Sequence, residues 1–418
     1  MKEVNASIIT IGDELLIGQT VDTNSSFIAR ELNKIGIWVK RRIAVGDVKL
    51  DIHHVLEKES SECDVIIITG GLGPTADDIT KPALCEYFGS EIVINEDVLE
   101  NVKNIFLRLN RPLIERNLRQ AEVPHNCIVL PNARGTAPGM WFEKDKVVYV
   151  SLPGVPYEMM GLIEAAVLPK LQERFELPVI VHRTLYTIGQ GESMIAEVLT
   201  EFENSLPEHV KLAYLPNYGA VKLRLTSKGS SGPTLNRELD ALFKEMSNLV
   251  SEWVVADEDI SLQEIVFRLL QKRGATLGTA ESCTGGYIAH LLTSLPGSSS
   301  IFKGGIVSYA NEVKEDVLNV AHETLLDKGA VSEATAREMA AGALKQLKTD
   351  YVIATSGIMG PGGGTMEKPV GLVWIAVGDH NNIEASKHHF RFDRRRNIEL
   401  TANQALNLLR KFILQTPG

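Results

Sequence analysis

The sequence contains only four cysteines in 418 residues, and none of them forms a CxxC pair. Their wide spacing argues against the disulfide framework of a secreted scaffold and against a zinc site. No apolar run approaches the ~18 residues that a membrane-spanning helix needs. The N-terminal stretch "MKEVNASIITIGDELL" also lacks a small-residue cleavage site. We therefore expect a cytoplasmic protein with no membrane partner.

Basic residues are in the minority. Lysine and arginine together number 43 against 53 aspartates and glutamates, which gives a formal net charge of −10. A protein that coats nucleic acid needs a cationic surface to neutralise phosphates. Since the chain has no basic tail or long basic stripe, nucleic acid is not an expected partner.

The bulk composition is that of a globular protein with an ample core. Hydrophobic residues make up 44% of the chain and charged residues 23%. At 418 residues the chain is too long for a single core, and the length predicts about three domains.

Short apolar runs that end in glycine predict buried parallel strands, at residues 6–12, 65–71, 147–154 and 351–357. Helical spacing between them, over residues 21–36, 49–61 and 156–176, indicates βαβ units and a doubly wound α/β sheet. Over residues 180–255 the alternation of strand and helix patterns changes, and this segment is predicted to contain two or three strands and two helices. The fold class is therefore α/β, with two α/β sandwich domains joined by a small α+β insert. The predicted boundaries are 1–172, 176–256 and 258–418.

Glycine-rich loops follow the predicted strands of the N-terminal third. In "TGGLGPTADD" (69–78) the glycines let the backbone approach a phosphate, and Thr75 offers a hydroxyl. Asp77 and Asp78 suit a hard divalent cation. Any one loop could simply turn a corner, but several on one sheet edge predict a binding cleft. Its candidate residues are Asp13, Asn24, Gly70, Gly71, Gly73, Thr75, Gly135, Thr136 and Gly154.

A second candidate site begins at "GTAESCTGG" (278–286), between a predicted strand and a predicted helix. Taken alone, the stretch is typical of a tight turn in which Thr284 caps the helix. Ser282 and Cys283 are the alternative nucleophiles. Because no histidine lies in the motif to activate a thiol, Cys283 is interpreted as a buried neighbour.

Two residues further along bear on the choice of Ser282. "GGIVSYANEVKEDV" predicts a strand that ends near Tyr309 and a helix capped by Asn311, with Lys314 in its first turn. The positive end of a helix dipole lowers the pKa of a lysine, and a neutral amine can accept the proton of a serine hydroxyl. The alternative is a solvated lysine beside Glu312 and its acidic neighbours.

A third glycine-rich stretch, "ATSGIMGPGGGTMEKP" (354–369), can wrap a nucleotide. Backbone amides or Thr365 are candidates for holding a phosphate; the glycines concerned are Gly357, Gly360, Gly362 and Gly363. The basic run "FRFDRRRN" (390–397) is interpreted as a solvated surface before the last helix, from which one arginine can reach a phosphate.

Several of these motifs resemble one protein family. "GDELLIGQTVDTNS", "TGGLGPTADD", "GTAPG" and "LPGVPYEM" resemble the molybdopterin-binding-type domain of the CinA (competence/damage-inducible) family, and "AESCTGG" resembles its C-terminal half. The resemblance spans nearly the whole chain. It implies an N-terminal domain that hydrolyses ADP-ribose or a related dinucleotide with Mg²⁺ or a similar divalent metal, with K⁺ as a further candidate ion. It also implies a KH-type insert and a C-terminal nicotinamide mononucleotide deamidase that needs no cofactor.

The resemblance also implies residue roles. The family's serine–tyrosine–lysine group corresponds to Ser282, Tyr309 and Lys314, and Met359 stands where the family commonly has alanine. The substrate-binding residues would include Thr284, Gly285 and Gly286, with amides near the two glycines steadying the oxyanion. A homodimer is expected.

Two other functions remain open at this point. One is a ligand-binding or regulatory protein linked to competence, and the other is a molybdopterin transferase built on the N-terminal domain. RNA binding through "GSSG" (229–232) is not expected, because this stretch follows a predicted strand, whereas the KH clamp joins two helices.

Overall fold

The computed structural model describes residues 3–75, 78–217 and 219–416. The chain divides into two compact units. One comprises Met1–His182, Glu208–Val210 and Thr226–Asp240, and the other comprises Arg183–Pro207, Lys211–Leu225 and Ala241–Gly418. The domain boundaries predicted from the sequence stay predictions.

The first 174 residues are built around a six-stranded sheet. Its strands, together with a separate two-stranded pair, are β1 (Asn5–Ile11), β2 (Trp38–Val45), β3 (Val65–Thr69), β4 (Ile92–Ile94), β5 (Glu122–Pro124), β6 (Ile128–Leu130), β7 (Gly139–Lys144) and β8 (Val147–Leu152). The sheet order is β2-β1-β3-β8-β7-β6, with β4 and β5 forming the pair. The strands β1, β3 and β8 are parallel, as predicted, and so is β2, which the sequence patterns did not predict. The strands β7 and β6 are antiparallel, so the sheet is mixed.

Helices cover both faces of this sheet. They are α1 (Asp13–Leu16), α2 (Asn24–Lys34), α3 (Lys49–Ser60), α4 (Thr80–Tyr87), α5 (Glu96–Arg108), α6 (Glu115–Leu118), α7 (Pro156–Leu162) and α8 (Leu168–Arg174), with a 3-10 turn at Arg119–Ala121 and a π-helical turn at Ile163–Val167. Successive strand residues point to opposite faces. Ile8 and Ile67 pack with α2 and α7, while Ile9 and Ile66 pack with α3 and α4. The result is an α/β/α sandwich.

The middle segment contains β9 (Val179–Ile188), α9 (Glu192–Asn204), β10 (Val210–Asn217), β11 (Ala220–Gly229), α10 (Gly232–Leu249), a 3-10 turn at Ser251–Trp253 and β12 (Val254–Ala256). Its sheet order is β10-β11-β9-β12. The two predicted helices are present, and the described residues of this segment form four strands instead of two or three. The "GSSG" stretch joins the strand β11 to the helix α10, as predicted.

The C-terminal segment forms a second α/β/α sandwich. Its elements are α11 (Leu262–Arg273), β13 (Leu277–Glu281), α12 (Tyr287–Thr293), a 3-10 turn at Ser298–Ser300, β14 (Phe302–Val307), α13 (Asn311–Asp316), α14 (His322–Lys328), α15 (Glu333–Leu347), β15 (Tyr351–Gly357), β16 (Leu372–Asp379), β17 (Ile383–His389) and α16 (Arg394–Gln415). The sheet order is β14-β13-β15-β16-β17. One face packs against α11 and α16, and the other packs against α15.

The direction of the strands places the candidate loops together. The strands β14, β13 and β15 are parallel, whereas β16 and β17 run antiparallel to their neighbours. The segments that follow Glu281, Val307 and Gly357 therefore leave the same edge of the sheet. In an α/β sheet this edge is where ligands bind.

Two expectations about composition can be compared with the structure. All four cysteines, Cys63, Cys85, Cys127 and Cys283, are free. Within the described ranges, no helix combines the length and the apolar character needed to cross a bilayer.

Candidate functional site

Ser282 lies immediately after β13, at the centre of the sheet edge. Its amide donates a hydrogen bond to the Thr355 carbonyl on the neighbouring strand at 3.0 Å, and Ser282 is 9% exposed. The Thr284 hydroxyl bonds the Thr355 hydroxyl at 2.8 Å. Gly285 and Gly286 have φ values of 61° and 94°, a left-handed conformation that turns the chain into α12 and that favours glycine. The serine is thus held at a tight strand-to-helix turn.

A buried carboxylate that the sequence reasoning missed holds this turn. Glu281 is 1% exposed, and its two oxygens accept hydrogen bonds from the amides of Gly286, Ile288 and Ala289 at 3.0, 3.1 and 2.8 Å. Amides at the start of a helix have no partner within the helix, and a side-chain oxygen satisfies them. Glu281 therefore performs the capping that was predicted for Thr284.

The prediction that amides near Gly285 and Gly286 hold the oxyanion needs a correction. The Gly286 amide donates to Glu281, and the Gly285 amide donates to the Ser282 carbonyl at 3.2 Å. Both donors are therefore already used. Within the described chain, the amides of Cys283 and Thr284 are the ones in this turn that have no acceptor.

Lys314 is almost fully buried. It is 1% exposed, and its Nζ donates to the carbonyls of Ser308, Tyr309 and Ala310 at 2.7, 3.3 and 3.5 Å. Burial disfavours the charged amine and lowers the pKa of Lys314, although the neighbouring acid Glu312 partly opposes the shift. The predicted direction agrees with this result, but the main cause is desolvation and not the helix dipole.

The local structure around Lys314 also differs from the prediction. The N-cap of α13 is Ala310, and Asn311 is the first residue of the helix, with no side-chain cap. Lys314 is the fourth residue of a six-residue helix, and its side chain points back to the carbonyls that precede the helix. The solvated alternative for this lysine is wrong.

Tyr309 and the distant Arg394 meet at the mouth of the pocket. Tyr309 is 62% exposed, and its hydroxyl accepts a hydrogen bond from Arg394 Nη2 at 2.9 Å. Arg394 Nη1 donates to the Gly360 carbonyl at 3.0 Å. The first residue of α16 therefore links the tyrosine to the glycine-rich loop. The basic run 390–397 was interpreted as a solvated surface from which one arginine can reach a phosphate, and nothing in the run itself distinguishes Arg394 from its neighbours.

These side chains line one pocket of about 290 Å³. Ser282, Tyr309 and Lys314 are brought together there, with Arg394 and with the predicted Gly357, Gly360, Gly362 and Gly363. Within the described residues, no hydrogen bond joins the Ser282 hydroxyl directly to the Lys314 amine. The pocket nevertheless combines a nucleophile with a buried amine of lowered pKa, which is the pairing that covalent hydrolysis uses.

Two further residues of these motifs, Cys283 and Thr365, have no chemical role in this pocket. Burial raises the pKa of the Cys283 thiol to about 12, so the thiol stays protonated and unreactive near neutral pH. Thr365 does not line the pocket. Its amide donates to the Lys368 carbonyl at 2.8 Å and its hydroxyl accepts from the Lys368 amide at 3.0 Å, so both groups serve a local turn.

The N-terminal candidates are only partly brought together. A cleft of about 210 Å³ at the carboxyl ends of β1, β3 and β8 is lined by Asn24, Gly70, Gly71 and Gly154. Asn24 Nδ2 donates to the Gly154 carbonyl at 2.8 Å, while Asn24 Oδ1 is buried and has no partner within the described chain. A Cβ on Gly70 would collide with the backbone carbonyl that ends β1, so glycine is needed there for packing.

Two acidic side chains line the same cleft, Glu14 and Asp22. The predicted candidate Asp13 does not. Its carboxylate accepts a hydrogen bond from the Asp47 amide at 3.2 Å, and its amide donates to the Asp47 carboxylate at 3.1 Å. Asp13 therefore joins two loops, and its neighbour Glu14 lines the cleft.

Asp78 is occupied by its own loop. Its two oxygens accept hydrogen bonds from the amides of Gly73 and Thr75, each at 2.8 Å, and from the Thr75 hydroxyl. Gly73 and Thr75 thus serve the loop and do not line the cleft. Asp77 lies outside the described residues.

The "GTAPG" residues belong to a different part of the N-terminal sandwich. Thr136 lines a separate cavity of about 270 Å³ together with Asn95 and Asn101. The Gly135 carbonyl accepts a hydrogen bond from Asn101 Nδ2 at 3.2 Å. The structure therefore does not place these two candidates in the cleft lining.

The acidic side chains of the N-terminal cleft bear on whether a divalent metal can bind there. Over residues 3–75, 78–217 and 219–416, no group of three or more His, Cys, Asp and Glu side chains is arranged to hold one. Mg²⁺, however, is commonly held by one or two carboxylates together with substrate phosphates. Glu14 and Asp22 are the carboxylates that line the cleft, whereas Asp78 does not line it and its two oxygens accept hydrogen bonds from its own loop.

Comparison with known proteins gives matches to three family models. "Probable molybdopterin binding domain" matches residues 7–173, "Damage-inducible protein CinA KH domain" matches 182–256, and "CinA C-terminal domain" matches 259–413. A CinA-like protein of Cytophaga hutchinsonii is 45% identical over 408 residues, which covers 98% of each chain. A CinA-like protein of Flavobacterium psychrophilum is 45% identical over 414 residues, 99% of each.

Solved structures match over smaller parts of the chain. The competence/damage inducible protein CihA from Agrobacterium tumefaciens is 40% identical, with a TM-score of 0.36 over 36% of this chain and 93% of that one. The protein CinA from Thermoplasma acidophilum is 33% identical, with a TM-score of 0.37 over 41% of this chain and 99% of that one.

Proposed function

The chain belongs to the CinA family, and we propose that its C-terminal segment is a serine amidase acting on nicotinamide mononucleotide. The products are nicotinate mononucleotide and ammonia. The observation that carries the proposal is the pocket that holds Ser282, Tyr309 and the buried amine of Lys314 together. The lowered pKa of Lys314 supports a role as a proton acceptor.

In the proposed reaction, the Ser282 oxygen attacks the carboxamide carbon. Its proton passes to the Lys314 amine, directly or through the Tyr309 hydroxyl. The candidate donors to the oxyanion are the free amides of Cys283 and Thr284, because the two glycine amides are already hydrogen-bonded. Each such donor can contribute ~3 kcal/mol to transition-state stabilisation. Lys314 has three carbonyl acceptors, which hold the ammonium form until it returns the proton to the leaving ammonia.

The second half of the cycle uses the same groups. Loss of ammonia leaves an ester between Ser282 and the nicotinoyl carbonyl. Water attacks this carbonyl, Lys314 accepts the water proton, and the Ser282 oxygen leaves and is reprotonated. Splitting amide hydrolysis into two steps in this way is the general advantage of a covalent intermediate.

The experiment is ammonia release from nicotinamide mononucleotide by the purified full chain. Ser282→Ala should lower turnover by several orders of magnitude, and Lys314→Met should lower it by nearly as much, since members of one catalytic unit are not additive. Lys314→Arg should also fail, because a guanidinium keeps its proton at neutral pH.

Cys283→Ala is the matched control one residue from the nucleophile. Because its thiol stays protonated, this variant should lose only packing and keep its activity. Mass spectrometry of trapped enzyme should place the acyl adduct on Ser282. An adduct on Cys283, or an active Ser282→Ala enzyme, would overturn the assignment.

For the N-terminal segment we propose hydrolysis of ADP-ribose or a related pyrophosphate. The cleft at the carboxyl ends of β1, β3 and β8 supports this proposal, because glycine backbone and two acidic side chains meet there. A divalent metal would be held by Glu14, Asp22 and the substrate phosphates, where it would neutralise the pyrophosphate charge. Asn24 lines this cleft, and its Nδ2 donates to the Gly154 carbonyl at 2.8 Å, so it would hold the loops around the substrate.

Turnover of ADP-ribose with Mg²⁺ tests this second activity. Glu14→Gln should raise the metal concentration needed for half-maximal rate, while Glu57→Gln, a change on α3 away from the cleft lining, should not. No turnover of ADP-ribose, together with turnover of a pterin and ATP, would favour a molybdopterin transferase.

A further inference from the structure

A second depression lies beside the Ser282 pocket, between the helices α12 and α16. We call it the α12–α16 groove, and it is defined by Tyr287, His290, Arg394, Arg395 and Ile398. Its volume is about 630 Å³, larger than the roughly 290 Å³ of the Ser282 pocket. Arg394 lines both spaces, and the Ser282–Gly286 turn lies between them. The two spaces are therefore adjacent at Arg394.

The groove has a cationic edge on a strongly acidic chain. Arg395 is largely exposed, and its Nε bonds Glu399 Oε1 at 3.1 Å across one turn of α16. This contact steadies the guanidinium and leaves its two terminal nitrogens available. His290 lies at the opposite wall, on α12, and its ring is 6.3 Å from that of Tyr287. Among the described residues of the lining, Glu399 is the one acidic side chain beside Arg394 and Arg395, so the groove is suited to bind an anion.

The cations of the Ser282 pocket are less available. Lys314 directs its amine to three backbone carbonyls, and Arg394 bonds both Tyr309 and Gly360. Small-ligand pockets commonly span about 300–1,000 Å³, so the Ser282 pocket alone is at the lower limit. A mononucleotide that places its carboxamide at Ser282 thus has reason to extend beyond this pocket.

We propose that the α12–α16 groove binds the phosphate of the mononucleotide substrate, with Arg395 and His290 as specificity-determining residues. The proposal rests on the deamidase function proposed above. Terminal guanidinium nitrogens match phosphate oxygens in a bidentate geometry. The glycine-rich loop 360–365 is the rival location for the phosphate, through the backbone amides of Gly362 and Gly363.

The test compares nicotinamide mononucleotide with nicotinamide riboside, which lacks the phosphate. Steady-state KM and kcat are measured for the wild-type chain, Arg395→Ala, His290→Ala and the double variant. Arg268→Ala is the control, since Arg268 is another exposed arginine that bonds a glutamate one helical turn away, Glu264, together with Glu258, and lies outside both spaces.

For the mononucleotide, Arg395→Ala should raise KM about tenfold, and the double variant should raise it further, with kcat within about twofold of wild type, as expected for loss of uniform binding. For the riboside, kcat/KM should not change in any variant. Ribose 5-phosphate should inhibit the wild type competitively, and the double variant much less. Arg268→Ala should match the wild type throughout.

The outcomes separate the two proposals. If the wild type deamidates the mononucleotide while the double variant keeps the wild-type KM, the groove assignment is wrong and the deamidase function stands. Equal losses on both substrates would show that the variants damage the fold or the pocket, and would also overturn phosphate recognition. If the wild type releases no ammonia from either substrate, the deamidase function itself fails.

Discussion

Glu281 is the basis of the sharpest structural prediction, because its buried carboxylate accepts hydrogen bonds from three amides of the turn that follows Ser282. In Glu281→Gln, the amide oxygen can keep the two bonds to Gly286 and Ile288. The new NH₂ group then faces the Ala289 amide, and one charge-assisted bond is replaced by two opposed donors. Hydrogen bonds to charged groups contribute about 1.5–3 kcal/mol each.

This loss should appear as local opening of the turn. Since about 1.4 kcal/mol corresponds to a tenfold change in an equilibrium constant, amide exchange in the 283–290 segment should become about 10–100-fold faster. Deamidation should fall as well, because the same turn positions the Ser282 oxygen. Hydrogen–deuterium exchange followed by mass spectrometry measures the first effect, and ammonia release measures the second.

Glu264→Gln is the control for this substitution. Glu264 is on the surface of α11, where it bonds Arg268 at 2.7 Å, and such exposed pairs contribute only about 0.3–0.5 kcal/mol. Its loss should leave exchange at 283–290 and the catalytic rate unchanged. Unchanged exchange in Glu281→Gln, or exchange that accelerates equally across the whole chain, would refute the idea that Glu281 specifically holds this turn.

Three further predictions concern other parts of the chain. Burying the charged form of Lys314 lowers the stability of the folded state. This loss of stability is complete at pH values below the lowered pKa of Lys314, and it disappears as the pH approaches 10.5, the ordinary pKa of a lysine. Thermal melts should therefore show wild type gaining stability relative to Lys314→Met as pH rises; parallel curves would contradict the lowered pKa. Asp78→Asn should reduce ADP-ribose turnover without changing the metal concentration that is required, because both carboxylate oxygens accept hydrogen bonds from the loop. Deamidation should be unchanged. A higher metal requirement in this variant would instead indicate that Asp78 is a metal ligand. A fragment starting near residue 258 should fold and deamidate alone, since ~160 residues can bury a core. Ammonia release is measured for the fragment and for the full chain. A folded but inactive fragment beside an active full chain would show that the segments depend on each other.

Local sequence patterns were sufficient for much of the architecture. The strands at 6–12, 65–71, 147–154 and 351–357 were found because a buried parallel strand needs a continuous apolar run, and that property is written in consecutive residues. The same holds for the turn at 278–286, where glycines with positive φ follow Ser282. The antiparallel strands β7 and β16 were not anticipated, because an apolar run does not encode the direction of its neighbours.

What the tertiary structure decided is the environment of each candidate side chain. For Lys314 the sequence left two interpretations, a proton acceptor for Ser282 or a solvated lysine beside acids, and packing decided between them by burying the amine against three carbonyls and lowering its pKa. Arg394 reaches Tyr309 across 85 residues of sequence. Adjacent acids also separate, since Glu14 lines the cleft while Asp13 binds a neighbouring loop. A sequence specifies which groups are present, but desolvation and hydrogen-bond partners arise from residues far apart in the chain, so only the folded structure determines which group can do chemistry.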